Sequence, residues 1–257
     1  MREKRVTGET TRKPNVAPHW DATKTSNVAA WDQKRRLATA MRLVIERLVP
    51  SSAPESELRT AADALERYAE ALKAHPRLKR QPGPAESANA GDVGAFFDQS
   101  PLIGLANPLA PPITIGKSGE RSAIASVTFG SAYEGPPGAL HGGFVAAAFD
   151  EVLGYVQSLG GSPGFTAKLT INYRKPTPLH KELIIRAELV HIEGRKIFTE
   201  GRIYDGDVIT ADAEGLFISV GHKKIVPLLK MREEYEERIA AELQKDVALG
   251  DRSGSLG

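Results

Sequence analysis

Apolar residues in this chain follow two different periods, and the change between them divides it. Trp31, Leu37, Met41, Val44, Ile45 and Leu48 recur at near-helical spacing, with Arg and Lys on the opposite face. Pro50-Ser51-Ser52 interrupts the run. Leu58, Ala61, Leu65, Tyr68, Ala69 and Leu72 then repeat every three or four residues, with Ser52 or Ser56 available as a cap and Pro76 as a stop. The two stretches predict a helical hairpin within residues 29–80. Residues 1–28 are polar and mixed and read as a loose tail. Residues 81–91, rich in Pro, Gly, Ala and Ser, read as a linker.

Between residues 92 and 226 the style changes to short strand-like runs. Ser122–Phe129 alternates and predicts a strand, and Tyr133-Glu134-Gly135-Pro136-Pro137-Gly138 a rigid turn. His141 to Leu159 is Ala-rich and apolar nearly all round, with Phe144, Val145, Ala148, Phe149, Val152, Leu153 and Val156. Such a helix is buried on most sides. Thr166–Lys175, Leu183–Ile192, Arg195–Tyr204 and Val208–Val220 read as further strands. Pro176-Thr177-Pro178, Glu193-Gly194 and Asp205-Gly206-Asp207 separate them, the last two suited to hairpins because glycine takes positive φ at little cost. One buried helix followed by an antiparallel meander is an α+β fold, a helix packed on an antiparallel sheet. Met231, Tyr235, Ile239, Leu243 and Val247 step by four and predict a helix over 228–247, within a C-terminal segment of residues 227–257.

Composition removes several function classes. The chain has 34 Lys and Arg against 32 Asp and Glu, a net charge of +2, which gives no electrostatic footprint for nucleic acid. It has no cysteine, so disulfides, thiolate nucleophiles and Cys-based zinc sites are excluded. Its six histidines show no metal-ligand spacing, and no metal is expected. No run of about 18 apolar residues predicts a membrane span, and the first residues lack the apolar core of a secretory signal, so a cytoplasmic protein is expected. The Gly-x-Ser-x-Gly elbow and the Walker and Rossmann phosphate loops are missing.

What remains is concentrated around the Ala-rich helix. His141-Gly142-Gly143 stands at its start, where backbone amides lack internal partners and carry the positive end of the helix dipole. Two glycines there leave those amides open to a ligand carbonyl, the requirement of an oxyanion hole. A Gly-Gly turn before a helix has the same spelling, and for His141 a structural loop role competes with chemistry. Asp150 and Glu151 lie two turns further on among Ala, Val, Phe and Leu. A carboxylate there is costly unless paired or functional; Asp150 is taken as functional, Glu151 as reaching solvent or a helix-end partner. Thr166 opens the next strand, where its hydroxyl can orient a water or a carboxylate, although threonine also favours strands for steric reasons.

These blocks resemble a known family. Tyr133 to Glu151, with His141-Gly142-Gly143 and Asp150 inside it, is similar to the signature of hotdog-fold acyl-CoA thioesterases of the PaaI and THEM type. Gly164-Phe-Thr166-Ala-Lys-Leu-Thr-Ile-Asn172-Tyr-Arg174-Lys-Pro176 and Glu193-Gly-Arg195-Lys196-Ile-Phe-Thr-Glu200 resemble its following strands. The likeness covers roughly residues 100–220 and implies a curved antiparallel sheet wrapped around one long helix. It implies that the amide of Gly143, and of Gly142 beside it, polarises the thioester carbonyl, with Asp150 as general base on water or as nucleophile. Thr166 would position Asp150 or the water, and His141 would shape the loop. Asn172, Arg174, Arg195, Lys196, Ile197, Phe198, Thr199 and Glu200 would meet coenzyme A, which enters as part of the substrate, with no separate cofactor. Family sites form across homodimers, often paired into tetramers. A non-catalytic acyl-CoA-binding module and a hotdog hydratase or dehydratase are the alternatives.

Spacing sharpens the dimer. Gly143 and Asp150 are about 10 Å apart along one helix at a rise of about 1.5 Å per residue. One thioester carbon cannot easily meet both, so each site is expected to take Gly143 from one copy and Asp150 from the other. Phe144, Phe149, Tyr155 and the loop near Phe96-Phe97 are candidates to line the acyl pocket.

Overall fold

The computed structural model describes residues 29–75, 98–161, 164–219 and, in part, 230–239. The predicted tail, the linker, Phe96-Phe97 and most of the C-terminal helix lie outside the described residues, although 230–231, 234–235 and 237–239 are helical. The elements run α1 (Ala29–Leu48), α2 (Glu55–Leu72), β1 (Thr114–Lys117), β2 (Ser122–Thr128), a short 3-10 turn (Ser131–Tyr133), α3 (Gly142–Ser158), β3 (Gly164–Tyr173), β4 (Glu182–Glu193), β5 (Lys196–Asp205) and β6 (Val208–Ser219). The helix expected over 141–159 and the five expected strands are all present.

The strands form one six-stranded antiparallel sheet in the order β1-β2-β4-β5-β6-β3. Two features depart from the meander. β1 was not expected: it is four residues long with only Ile115 buried, too short for alternation to register. β3 does not pair with β4. It crosses to the far side and pairs with β6 from Gly164↔Ser219 to Tyr173↔Ala211. The Pro176-Thr177-Pro178 connection is occupied elsewhere: Thr177 is buried, its carbonyl accepts the Leu140 N–H at 2.8 Å, and the His180 N–H donates to the Phe129 carbonyl at 2.8 Å. That connection underlies the loop leading into α3.

α3 packs across β2 to β6. Val145, Phe149, Val152, Leu153 and Val156 from the helix meet Leu183, Ile185, Ile197, Ile203 and Phe217 from the strands, all at 1% exposure or less. On the sheet, alternation holds closely: β4 buries Leu183, Ile185, Ala187 and Leu189 and turns the residues between them outward. Gly215 lies where the β5 and β6 side chains and Leu153 of α3 leave no room for a side chain. A Cβ there would lie 2.6 Å from Thr199 Oγ1, 2.8 Å from the Phe217 ring and 3.2 Å from Leu153, so a larger residue would displace core side chains.

The N-terminal helices occur where periodicity puts them, but as an open pair. α1 is fixed to the domain by polar residues. Arg35 forms an ion pair with buried Asp98, Arg42 donates to the Leu105 and Asn107 carbonyls, and Glu46 accepts from Ser131. α2 does not lie along α1 and has no buried residue. Their apolar stripes therefore do not close into the expected hairpin, because α1's orientation is set by the domain.

Candidate active site

His141 is the N-cap of α3, in extended conformation, and its Nδ1 accepts the Gly143 N–H at 3.0 Å. Caps are usually Ser, Thr, Asp or Asn; here a ring nitrogen takes their place. The acceptor role puts any proton of the neutral ring on Nε2. His141 is itself held from behind. Its N–H donates to the Tyr133 carbonyl at 2.9 Å, and Gly135 lies so close that a Cβ there would approach His141 Cα to 2.7 Å. The Tyr133 ring packs edge-on against Phe144 at 4.8 Å, and its hydroxyl donates to the Leu109 carbonyl. Glu134 accepts the Gly138 N–H at 2.6 Å and closes the proline turn. On the other side the Tyr173 hydroxyl donates to the Gly142 carbonyl at 3.0 Å. The start of α3 is thus clamped by two turns and an aromatic residue. The Gly143 amide is engaged by the cap, and the Gly142 amide has no recorded partner among the described residues.

Two turns further on, Thr166 Oγ1 donates to Asp150 Oδ1 at 2.8 Å. Gln157 explains why Thr166 stands there. It is buried and grips Gly164 twice, accepting its N–H at 3.0 Å and donating to its carbonyl at 3.4 Å. This pair joins the end of α3 to the start of β3. A lone amide in an otherwise apolar run was the signal for it in the sequence.

The exposures of the two carboxylates are the reverse of expectation. Asp150 is exposed in the protomer, and Glu151 is half-buried. The helical turn decides this: Phe149, Val152 and Leu153 take the sheet side, which puts Asp150 on the opposite face with Gly143, Ala147 and Gly154. Burial, and secondarily the charge of Asp150, pushes the Glu151 carboxyl up to about 7.

The expected coenzyme positions fall into separate groups. Asn172 and Arg174 both bind Asp212 on β6, the Asn172 amide at 2.9 Å and Arg174 through an exposed ion pair. Hydrogen bonds from Arg174 and then Asn172 hold Asp212 below the usual carboxylate range. Arg195 Nε donates to the Ser219 carbonyl, and Lys196 is exposed. Ile197 and Thr199 face the core, at 0% and 1% exposure, so a coenzyme could meet them only through backbone. Phe198 stacks on His191 at 4.2 Å, and Glu200 lines a concavity of about 260 Å³ on the outer sheet face with Arg186 and Arg202. Register separates these groups further: Lys196 pairs with Ile218, which pairs with Phe165, whereas Asn172 pairs with Asp212. Phe165 and Asn172 stand about 23 Å apart along β3 at about 3.3 Å per residue. One protomer does not bring all of them together. Of the other pocket candidates, Phe144 and Tyr155 are partly buried against the core and Phe149 is wholly within it. No cluster of three His, Asp or Glu suited to a metal occurs among the described residues, and no described helix is long and apolar enough to cross a membrane.

Residues 137–211 match the family described as the thioesterase superfamily, a span that holds His141, Gly142, Gly143, Asp150, Thr166 and the expected coenzyme positions from Asn172 to Glu200. A solved thioesterase superfamily protein is 31% identical, superposes with a TM-score of 0.66, and aligns over 76% of this chain and 97% of its own. The chain belongs to the thioesterase superfamily, and its helix-on-sheet domain is the hotdog fold. Among curated relatives, acyl-coenzyme A thioesterase THEM4 of Xenopus laevis is 38% identical over 105 residues, covering 39% of this chain and 46% of that protein. THEM4 of Bos taurus is 35% identical over 107 residues, 41% and 44% of the two chains. The chain thus spans less than half the length of these relatives.

Proposed function

We propose that the protein hydrolyses acyl-CoA thioesters at sites shared between two copies. The Asp150–Thr166 hydrogen bond carries this reading, because it orients a carboxylate on the small-residue face of α3 that the sheet leaves open. In the general-base form, Asp150 takes a proton from water as the water oxygen attacks the thioester carbon. The carbonyl oxygen gains charge against the amides of Gly142 and Gly143. The C–S bond then breaks, and coenzyme A leaves as the thiol with the proton from Asp150. In the nucleophilic form the Asp150 carboxylate attacks the thioester carbon and expels coenzyme A as the thiolate; water then cleaves the resulting anhydride, restoring the Asp150 carboxylate and supplying the proton with which coenzyme A leaves as the thiol. The His141 imidazole must give up the Gly143 N–H when a substrate carbonyl arrives, so the cap reserves that donor until then.

Two observations support a shared site. Gly143 and Asp150 stand on one helix face, about 10 Å apart. The coenzyme positions at the two ends of β3 are separated by about twice that distance. β3 is an edge strand, and pairing with its own copy in antiparallel fashion would set the Asn172 end of one beside the Thr166 end of the other. Both separations close in such a dimer.

The test has two parts. Thiol release is measured from short, aromatic and long acyl-CoAs with wild type and Asp150→Asn; a loss of on the order of 10²-fold or more is expected. Asp150→Asn and Gly143→Val chains are then assembled together. A Cβ at Gly143 would press on His141 Nδ1 at 3.1 Å, so valine spoils that end alone. Shared sites regain activity in the mixed dimer, since one site receives both native residues. An Asp150→Asn enzyme of undiminished rate sinks the assignment, and a mixed dimer without recovery sinks the sharing.

A further inference from the structure

An 18-residue helix with all its side chains in solvent is marginal in water, and α2 is such a helix. Its apolar residues are nevertheless ordered. Leu58, Ala61, Leu65, Tyr68 and Leu72 step alternately by three and four, the spacing of a coiled-coil seam. Ala62, Ala64, Ala69 and Ala71 flank that seam and allow close approach. α1 carries a second seam at the same spacing, Leu37, Met41, Val44 and Leu48, which is also exposed. This seam lies away from Arg35, Ala38, Arg42 and Glu46, the residues that face the domain.

The helices also complement each other in charge. α1 has five basic residues (Lys34, Arg35, Arg36, Arg42, Arg47) against Asp32 and Glu46, a net of +3. α2 has five acidic residues (Glu55, Glu57, Asp63, Glu66, Glu70) against Arg59 and Arg67, a net of −3. Within one chain they do not meet along their length. α1 is pinned by Arg35 on Asp98, Arg42 on Leu105 and Asn107, and Glu46 on Ser131. Prolines at 50 and 54 bracket the connection and restrict its backbone, so it carries α2 away instead of folding it back.

We propose that a second copy of this chain covers these seams, α2 of each copy packing on α1 of the other. An exchange of this kind buries both stripes and sets Lys34, Arg36 and Arg47, the basic residues of α1 that do not hydrogen-bond to the domain, against the net −3 of α2, without moving α1 from its domain. Glu46, which holds the turn before His141, would then stand on a helix braced by the other protomer. The inference does not rest on the catalytic reading, since helix exchange and thiol release are measured separately.

The lack of cysteine makes the test direct. Met41→Cys is placed in one full-length copy and Leu65→Cys in a second copy carrying a size tag, and the two are co-expressed and mildly oxidised. Both positions are exposed and central to their seams, so they meet whichever way the helices run. The expected result is a covalent heterodimer, lost when Leu58→Glu is added to the Leu65→Cys copy while helix content at the domain is retained. A single chain carrying both cysteines that closes on itself as a monomer overturns the proposal, as does the absence of any crosslink in the mixed sample.

Discussion

The face of α3 that meets the sheet carries Val145, Phe149, Val152, Leu153 and Val156, all buried, whereas the face turned away carries Gly143, Ala147, Asp150 and Gly154. The first is large, branched or aromatic and apolar. The second is nearly side-chain-free except for one carboxylate. A helix serving only as a core would not leave a strip of glycine and alanine beside a charged group oriented by Thr166. The difference separates the two sides of the helix: one face holds the domain together, and the other leaves Gly143 and Asp150 exposed on the surface of the protomer.

The largest effect is expected on the sheet side. Phe149→Ala should lower unfolding stability by about 3–5 kcal/mol through lost burial and the cavity left behind. Thermal or denaturant unfolding reads this directly. Ala147→Ser, on the other face, should leave stability within about 0.5 kcal/mol. If both changes cost the same, the division of the helix into two faces is wrong.

Glu151 lies between the two faces and gives the next effect, one that depends on pH. Its folded carboxyl titrates at about 7 against 4.5 unperturbed, so the folded state binds its proton more tightly than the unfolded chain. Below 4.5 both states hold the proton and nothing is lost. Stability then falls as pH rises from 4.5 to 7, and the full penalty remains above 7. At about 1.4 kcal/mol per unit, reduced for the part of Glu151 still in contact with solvent, the penalty is about 1–3 kcal/mol. Glu151→Gln should therefore match wild type near pH 4 and exceed it above pH 7. A stability difference that does not change with pH would remove the basis for this assignment.

These two carboxylates also mark how far the sequence could be read. The apolar period of α3, the five longer strands and the glycine hairpins were legible because each depends on local pattern. Which of Asp150 and Glu151 is exposed was not, because in a run apolar all round the hydrophobic period does not say which side meets the sheet. The crossing of β3 to β6 was equally hidden: alternation reports a strand's faces but not its neighbour. The clamp on His141 draws on Tyr133, Thr177 and Tyr173, residues up to 44 positions apart in sequence, and Asp212 became part of the Asn172–Arg174 group only through register. The resemblance supplied candidate residues, but not that Ile197 and Thr199 face inward.

A smaller effect tests the outward face. Thr166→Ala should lower kcat by about tenfold, the worth of one hydrogen bond to a charged group near the lower end of its range. Thr166→Ser should recover most of it, because the hydroxyl and not the methyl group reaches Asp150. KM should change little in either variant. An alanine variant with native kcat would leave Asp150 oriented by something else.

The smallest effect concerns Arg174, and here the two ends of β3 can be distinguished. Its guanidinium is not free: it is paired with Asp212, whose carboxyl is held in its charged form by Arg174 and Asn172. A coenzyme phosphate reaching this end must therefore compete with Asp212 for the arginine. Asp212→Asn removes the competitor and keeps the shape. If Arg174 contacts the nucleotide, the substitution should lower KM for acyl-CoA by roughly two- to fivefold, the scale of one exposed ion pair, and the gain should shrink as salt is raised. Arg174→Ala should raise KM and abolish the benefit of Asp212→Asn in the double variant. If Arg174 only braces β3 against β6, Asp212→Asn will leave KM unchanged, and the coenzyme must be held from the Arg195–Lys196 end alone.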